Sequence, residues 1–208
     1  MANDPYLTPY RESVKEHGSD FKVTLWASKE SQYRRFRAFS EMCFLAGKRI
    51  LDAGSSRGDF AQFLLERDIP YEKYIGIDGL DEVIDFANSR GLPGAEFHAG
   101  DMLRDSSLVA IGKPQVICIS GTLNTMTDDE IAKLLDDAWD ATSEVLMFNF
   151  LSNRVGTTAP RQLPPARRLD TLQWMNWALE RCCLTSFRQD YFYAGHDATI
   201  MMRKGEEV

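Results

Sequence analysis

ILDAGSSRG, residues Ile50 to Gly58, runs an apolar stretch ending in an acid into a turn bounded by two glycines, and a helical pattern follows at once. Short continuous apolar runs are the mark of strands buried on both faces, so Arg49 to Ala53 is expected as a strand. Asp59 to Arg67 then sets Phe60, Phe63 and Leu64 on one face of a helix. Gly54 permits the tight turn and the close approach of a ligand, and Gly58 lets the helix start near the sheet. Amides at a helix start have no partner within the helix and face whatever binds there. The segment therefore has the form of a nucleotide-lining turn, although turn chemistry alone also produces it.

Outward from this unit the pattern repeats. Tyr74 to Asp78 (YIGID) is a second strand followed by a helix over Asp81 to Ser89, and a short strand at Glu96 to His98 precedes Gly100 and Asp101. Val116 to Ser120 (VICIS), a helix from about Asp128 to Ala141 and a strand over Val145 to Phe150 continue the alternation. Upstream, Lys29 to Leu45 spaces Tyr33, Phe36, Phe39, Met42 and Cys43 at a helical period, whereas the start of the chain is polar and unassigned. Leu151 to Asp170, with Pro160, Pro164 and Pro165, is a long loop of the kind that often serves as a lid. Thr171 to Arg181 is helical, and about Leu184 to Gln189 and Ala198 to Arg203 form a hairpin-like antiparallel edge. The expected fold is α/β: a Rossmann-like, doubly wound, mostly parallel seven-stranded sheet with an antiparallel C-terminal strand and helices on both faces. One domain is expected over 1–208, with 1–46 as a helical cap, 47–208 as the core and 151–170 as a candidate lid.

With 44% hydrophobic and 26% charged residues, the 208-residue chain can bury an ordinary core. A net charge of -7 argues against a sequence-independent grip on nucleic acid, which needs clustered cations. Arg34, Arg35 and Arg37, and again Arg161, Arg167 and Arg168, do cluster, so an anionic small substrate stays open beside the plainer reading of solvated surface. Cys43, Cys118, Cys182 and Cys183 lack ligand or disulfide spacing, and the histidines add none, so reduced buried thiols and no metal are expected. No signal-like N-terminus and no run of about 18 apolar residues is present, which points to a cytoplasmic protein without membrane contact.

Asp78 ends the second strand about 20 residues past Gly58, where an acid accepts from both ribose hydroxyls in doubly wound folds. Asp101 and Met102 follow the third strand, placing a carboxylate for an adenine amino group and an apolar side chain for its ring. Each acid alone reads as a cap or a solvated loop residue. Together at the carboxyl edge of the sheet they favour a nucleoside site.

LDAGSSRGDF, YIGID, GDM and VICISGTLN resemble the first four motifs of the class I S-adenosylmethionine-dependent methyltransferases, over about Lys48 to Phe150. The resemblance implies that the turn of Gly54, Ser55, Ser56 and Gly58 holds the amino-acid part of S-adenosylmethionine, with Asp52 supporting the turn and the methionyl ammonium. It assigns the ribose to Asp78 beside Gly79, the adenine to Asp101 and Met102, and the floor of the cofactor to Ser120 and Gly121. WASKESQYRRF is similar to a segment covering the cofactor in bacterial small-molecule members, which adds Trp26, Gln32 and Arg35. Ser56 departs from the family's usual glycine and is accommodated if its torsions are ordinary.

Displacement at a sulfonium methyl is in line and needs mainly positioning, so little local signature marks the acceptor side. Asn124 and His196 are the candidate catalytic residues, with Thr122, Met126, Asn149, the Pro/Arg loop and Tyr191 to Asp197 around them. His196 and Asp197, adjacent in a strand, point to opposite faces, which favours a structural histidine; His17 and His98 read as incidental. Trp174, Trp177, Tyr191, Phe192 and Tyr193 read as packing, with one or two of them open to a substrate-lining role. The expected activity is methyl transfer to an oxygen, nitrogen or carbon of a small molecule. The alternatives are a nicotinamide-dependent dehydrogenase, disfavoured by Ser56 where a pyrophosphate needs glycine, and a non-catalytic module that binds the cofactor or a partner.

Overall fold

A computed structural model describes residues 4–205. Seven strands form one sheet in the order β3-β2-β1-β4-β5-β7-β6. They are β1 (Arg49–Ala53), β2 (Lys73–Asp78), β3 (Ala95–Ala99), β4 (Val116–Ser120), β5 (Val145–Leu151), β6 (Thr185–Arg188) and β7 (Asp197–Arg203). Neighbours from β3 to β5 run parallel, and β7 runs antiparallel to both β5 and β6. The order turns at β1 and β4, whose carboxyl ends open the crevice where ligands bind in such sheets.

Side chains alternate along each strand and commit its two faces to separate cores. Leu51, Ala53, Ile75, Ile77, Ile117 and Ile119 pack with α5 (Asp128–Ala141) and α6 (Thr171–Arg181). Ile50, Tyr74, Val116 and Cys118 pack with α2 (Lys29–Met42), α3 (Asp59–Glu66) and α4 (Asp81–Ser89). On this second face Phe36 and Phe60 lie 4.9 Å apart, and each buried phenylalanine is worth about 1.5–3 kcal/mol. Reciprocal side-chain caps start two helices, Ser28 with Ser31 at α2 and Thr127 with Glu130 at α5. Trp174 and Trp177 are core residues of α6. Cys43, Cys118 and Cys182 are buried free thiols, whereas Cys183 is exposed.

The expected antiparallel C-terminal pair ends the sheet: β7 lies inside it, antiparallel to β5 and β6, and β6 forms the edge, parallel to β1–β5. Ala198, Ile200 and Met202 feed one core and Met201 the other, so β7 needs cover on both faces, while the half-exposed β6 tolerates an edge. The polar start also folds. Helix α1 (Thr8–His17), with Pro9 in its first turn, is followed by a 3-10 turn at Phe21–Thr24, and Val14 and Val23 pack on Leu80 and Val83 at the start of α4. Among the described residues no helix is long and apolar enough to cross a membrane.

Candidate functional site

The turn after β1 is built against its neighbours. Gly54 has φ +88°, and a Cβ there would overlap Thr122 Oγ1, whose hydroxyl donates to Ala53 O at 3.0 Å. Gly54 and Ser55 both donate their amides to Ile77 O, and Ser56 donates its own to Asp78 Oδ2 at 2.9 Å. The turn is thus held to the end of β2 by its own N–H groups, which are not left for a ligand. Ser56 does not have ordinary torsions: its φ is +45°, in the left-handed region, where a side chain costs about 1–2 kcal/mol. Gly58 begins α3 against the Phe97 ring, and Ser55 is buried with its hydroxyl unpartnered, both away from the cleft described next.

Gly54, Ser56, Asp78, Gly79, Gly100, Met102, Ser120, Gly121, Thr122 and Met126 line one narrow cleft at the carboxyl ends of β1 to β4. Asp78 accepts from Ser56 N–H and, through Oδ1, from Leu80 N–H at 3.2 Å; burial outweighs these bonds and pushes its pKa up to about 6. It remains largely ionised at neutral pH and has acceptor positions to spare. Asn149 fixes the turn after β4, accepting from Gly121 N–H at 3.0 Å and donating to Ser120 Oγ at 3.1 Å.

Two of the sequence-selected acids do not line this cleft. Asp52 points beneath the sheet and accepts from Tyr74 OH at 2.5 Å; burial, opposed by that bond, raises its pKa to about 7. Asp101 accepts from Tyr6 OH at 2.6 Å and Leu103 N–H at 2.9 Å, and it borders a shallow surface hollow with Asp4 and Arg104. Asp101 therefore reaches the cleft only through the Tyr6 ring, which does line it.

The cover comes from the segment expected as an N-terminal cap, of which the sequence reading singles out only Trp26 among the residues that line the cleft. Tyr6, Leu7, Tyr10, Val23 and Thr24 close the cleft from the N-terminal segment, joined by Trp26. A Cβ on Gly121 (φ +78°) would stand 2.5 Å from Trp26 Cζ2. About 60 Å³ of open space remains, room for a few waters. Sparse apolar residues hid this segment; Pro9 near a helix start and Gly18 at its end were the available signals.

Tyr10, Thr24, Trp26 and Gly121 are shared with a second cavity of about 470 Å³, roofed by the loop 151–170. Arg35 lies in its wall, 3.9 Å from the Trp26 ring centroid and ion-paired with the fully buried Asp197, whose other oxygen accepts from Tyr191 OH at 2.6 Å. Gln32 is buried near Arg35 on α2 but lines neither cavity. His196 and Phe192 line the second cavity, while Tyr193 is fully exposed. His196 makes no pair with Asp197; burial holds its pKa below the ordinary value, so the ring is neutral near pH 7, and its buried Nδ1 lacks a partner. Asn124 also lines this cavity, but its side chain is occupied, accepting from Leu151 N–H at 2.8 Å and donating to Gly121 O.

No family model and no curated protein matches the sequence. Solved structures do match. A complex of DhpI with SAH is similar over 100% of both chains, at 15% identity and a TM-score of 0.67. Phosphoethanolamine N-methyltransferase 1 of Haemonchus contortus, in complex with phosphoethanolamine and S-adenosylhomocysteine, is similar over 100% of this chain and 51% of its own, at 12% identity and a TM-score of 0.71. Magnesium protoporphyrin IX methyltransferase of Synechocystis PCC 6803 with bound SAH matches over 98% and 96%, at 11% identity and a TM-score of 0.62. The chain has the seven-stranded Rossmann-like fold on which these methyltransferases are built.

Proposed function

We propose that this chain transfers a methyl group from S-adenosylmethionine to a small-molecule acceptor. The observation that carries the reading is a pair of adjacent cavities. A glycine-lined cleft at the switch point of the sheet holds an ionised acid at the end of β2, and it shares Tyr10, Thr24, Trp26 and Gly121 with a roomier chamber under a loop. The neighbours crystallised with S-adenosylhomocysteine supply the cofactor class. The residues suit that group: Gly54 and Gly121 bring backbone where side chains would collide, Asp78 keeps acceptor positions for two ribose hydroxyls, and Met102 offers an apolar surface to a base. Asp101 takes part by holding Tyr6 over the cleft, and Asp52 by bracing β1 from below.

Gly54, Asp78, Met102 and Gly121 would hold S-adenosylmethionine, which would supply its methyl for in-line displacement from sulfur. The chain's own part is to hold the acceptor at the junction of the two cavities and to exclude water beneath the loop 151–170. Neutral His196 is the group placed to receive a proton from an acceptor that must lose one. Calorimetric titration of the purified chain with S-adenosylhomocysteine tests the reading: micromolar-range binding is expected, and no heat together with no protection against thermal unfolding defeats it.

A further inference from the structure

The second cavity differs in charge from the molecule that contains it. The chain carries a net charge of -7, yet Arg35, Arg161 and Arg168 line this cavity, and among the described residues no aspartate or glutamate does. Arg35 is neutralised by its ion pair with Asp197. The other two are not paired. Arg168 binds only carbonyl oxygens, Nη1 donating to Ser152 O at 3.0 Å and His196 O at 3.2 Å, and Nη2 to Pro160 O at 2.9 Å. Its Nε–H and one Nη2–H have no acceptor among the described residues, and the exposed Arg161 has no acidic or hydrogen-bonded partner among them. Burial pulls the pKa of Arg168 down, opposed by the charge of Asp197, as expected of a cation whose counter-ion is not in contact. Three carbonyls fix the guanidinium in place before any ligand arrives, and a fixed fork with two open donors suits an oxyanion. His196 lines the same wall, and Phe192 and Leu163 give the remainder an apolar character.

Resting on the reading of this chamber as the acceptor's, we propose that the acceptor is an organic acid whose carboxylate or phosphonate is held by Arg168 and Arg161 and whose apolar body lies against Phe192 and Leu163. Arg168 sets the position of the acid and Arg161, on the roofing loop, adds a second positive charge to the wall.

The test is calorimetry on the full chain saturated with S-adenosylhomocysteine, titrated with phenylphosphonate, benzoate and benzyl alcohol. Both anions are expected to bind about tenfold or more tighter than the alcohol, the worth of one charge-assisted contact. Either anion's lead supports the assignment and identifies the oxyanion. Arg161→Gln, at an exposed side chain, weakens both anions about threefold to tenfold with the alcohol unmoved, and Arg168→Lys, which keeps the charge but loses the fork, weakens them further. Equal binding of alcohol and anions, or anion affinity unchanged in both variants, overturns the proposal. Loss of S-adenosylhomocysteine binding in the unmodified chain instead defeats the methyltransferase reading, so the two failures are distinguishable.

Discussion

Asp78 is where the cofactor reading is most exposed to disproof. Its carboxylate accepts Ser56 N–H at 2.9 Å and Leu80 N–H at 3.2 Å and retains lone pairs toward the cleft. Hydrogen bonds to a charged group contribute about 1.5–3 kcal/mol each, so two ribose hydroxyls are worth roughly 3–6 kcal/mol, or two to four decades in affinity. Asp78→Ala should remove that much S-adenosylhomocysteine binding, but it also orphans two N–H groups at about 1–3 kcal/mol each, which can unfold a marginal protein. The unmodified chain offers a test free of that problem. Burial raises the Asp78 pKa to about 6, and the ionised form is the one that accepts hydroxyls without donating. Binding is therefore full above pH 7 and weakens as pH falls through 6, tending toward tenfold per unit below it. Asp78→Asn, which does not titrate, should bind weakly with a flat profile across the same range. Calorimetry between pH 5 and pH 8 reads both curves. A dissociation constant for the unmodified chain that stays within about twofold over that range refutes the assignment.

Other consequences concern the turn, the buried acid and the cover. Ser56→Gly relieves the left-handed strain at φ +45° while loosening the unfolded chain, for a net gain of about 0.5–1 kcal/mol and a midpoint rise of a few degrees in thermal unfolding; a lower midpoint would show that the Ser56 side chain earns its place. Asp52 has a folded pKa near 7 against an unfolded value near 4, so it binds more protons when folded, and its contribution to stability is present at low pH and lost as pH rises from about 4 to 7. Urea unfolding of Asp52→Asn across that window should show a shallower decline than the unmodified chain, and parallel curves would count against the raised pKa. Tyr6→Phe removes the bond that holds the cover to Asp101, worth about 1–2 kcal/mol, and should speed S-adenosylhomocysteine association several-fold in stopped-flow fluorescence; an unchanged rate would mean that the cover does not gate entry.

The sheet was largely legible because its strands are both apolar and short, so runs such as VICIS and ILDA declare burial on two faces without help from distant residues. What the local pattern left open is the order of the last two neighbours. DATIMMR and TSFR each read as a strand, but which of them stands at the edge depends on how both faces of β7 meet the two cores. The first helix escaped because TPYRESVKEH buries only Ser13 and Val14, too thin a stripe for a periodicity argument, and what holds the N-terminal segment down lies far along the chain, with Leu7 against Gly79 and Tyr6 on Asp101.

The site shows the same division between what a motif specifies and what a fold assigns. Gly54, Asp78, Gly79, Met102 and Gly121 are brought to one cleft because strand ends in a parallel sheet fall together, a consequence of topology that the spacing carries. The state of each group is not carried by spacing. Where each acid points goes with its donors elsewhere in the chain: Tyr74 holds Asp52 and Tyr6 holds Asp101 out of the cleft, and of the three Asp78, bonded to two backbone amides, lines it. The same reasoning separates the candidate catalytic pair. Asn124 spends its amide tying Leu151 and Gly121 together, so its removal should act through the shape of the cavity wall, whereas His196, adjacent to an Asp197 already claimed by Arg35 and Tyr191, lines the cavity with its ring unpaired among the described residues. A neutral ring in the cavity wall, not tied into the scaffold as Asn124 is, makes His196 the stronger candidate of the two.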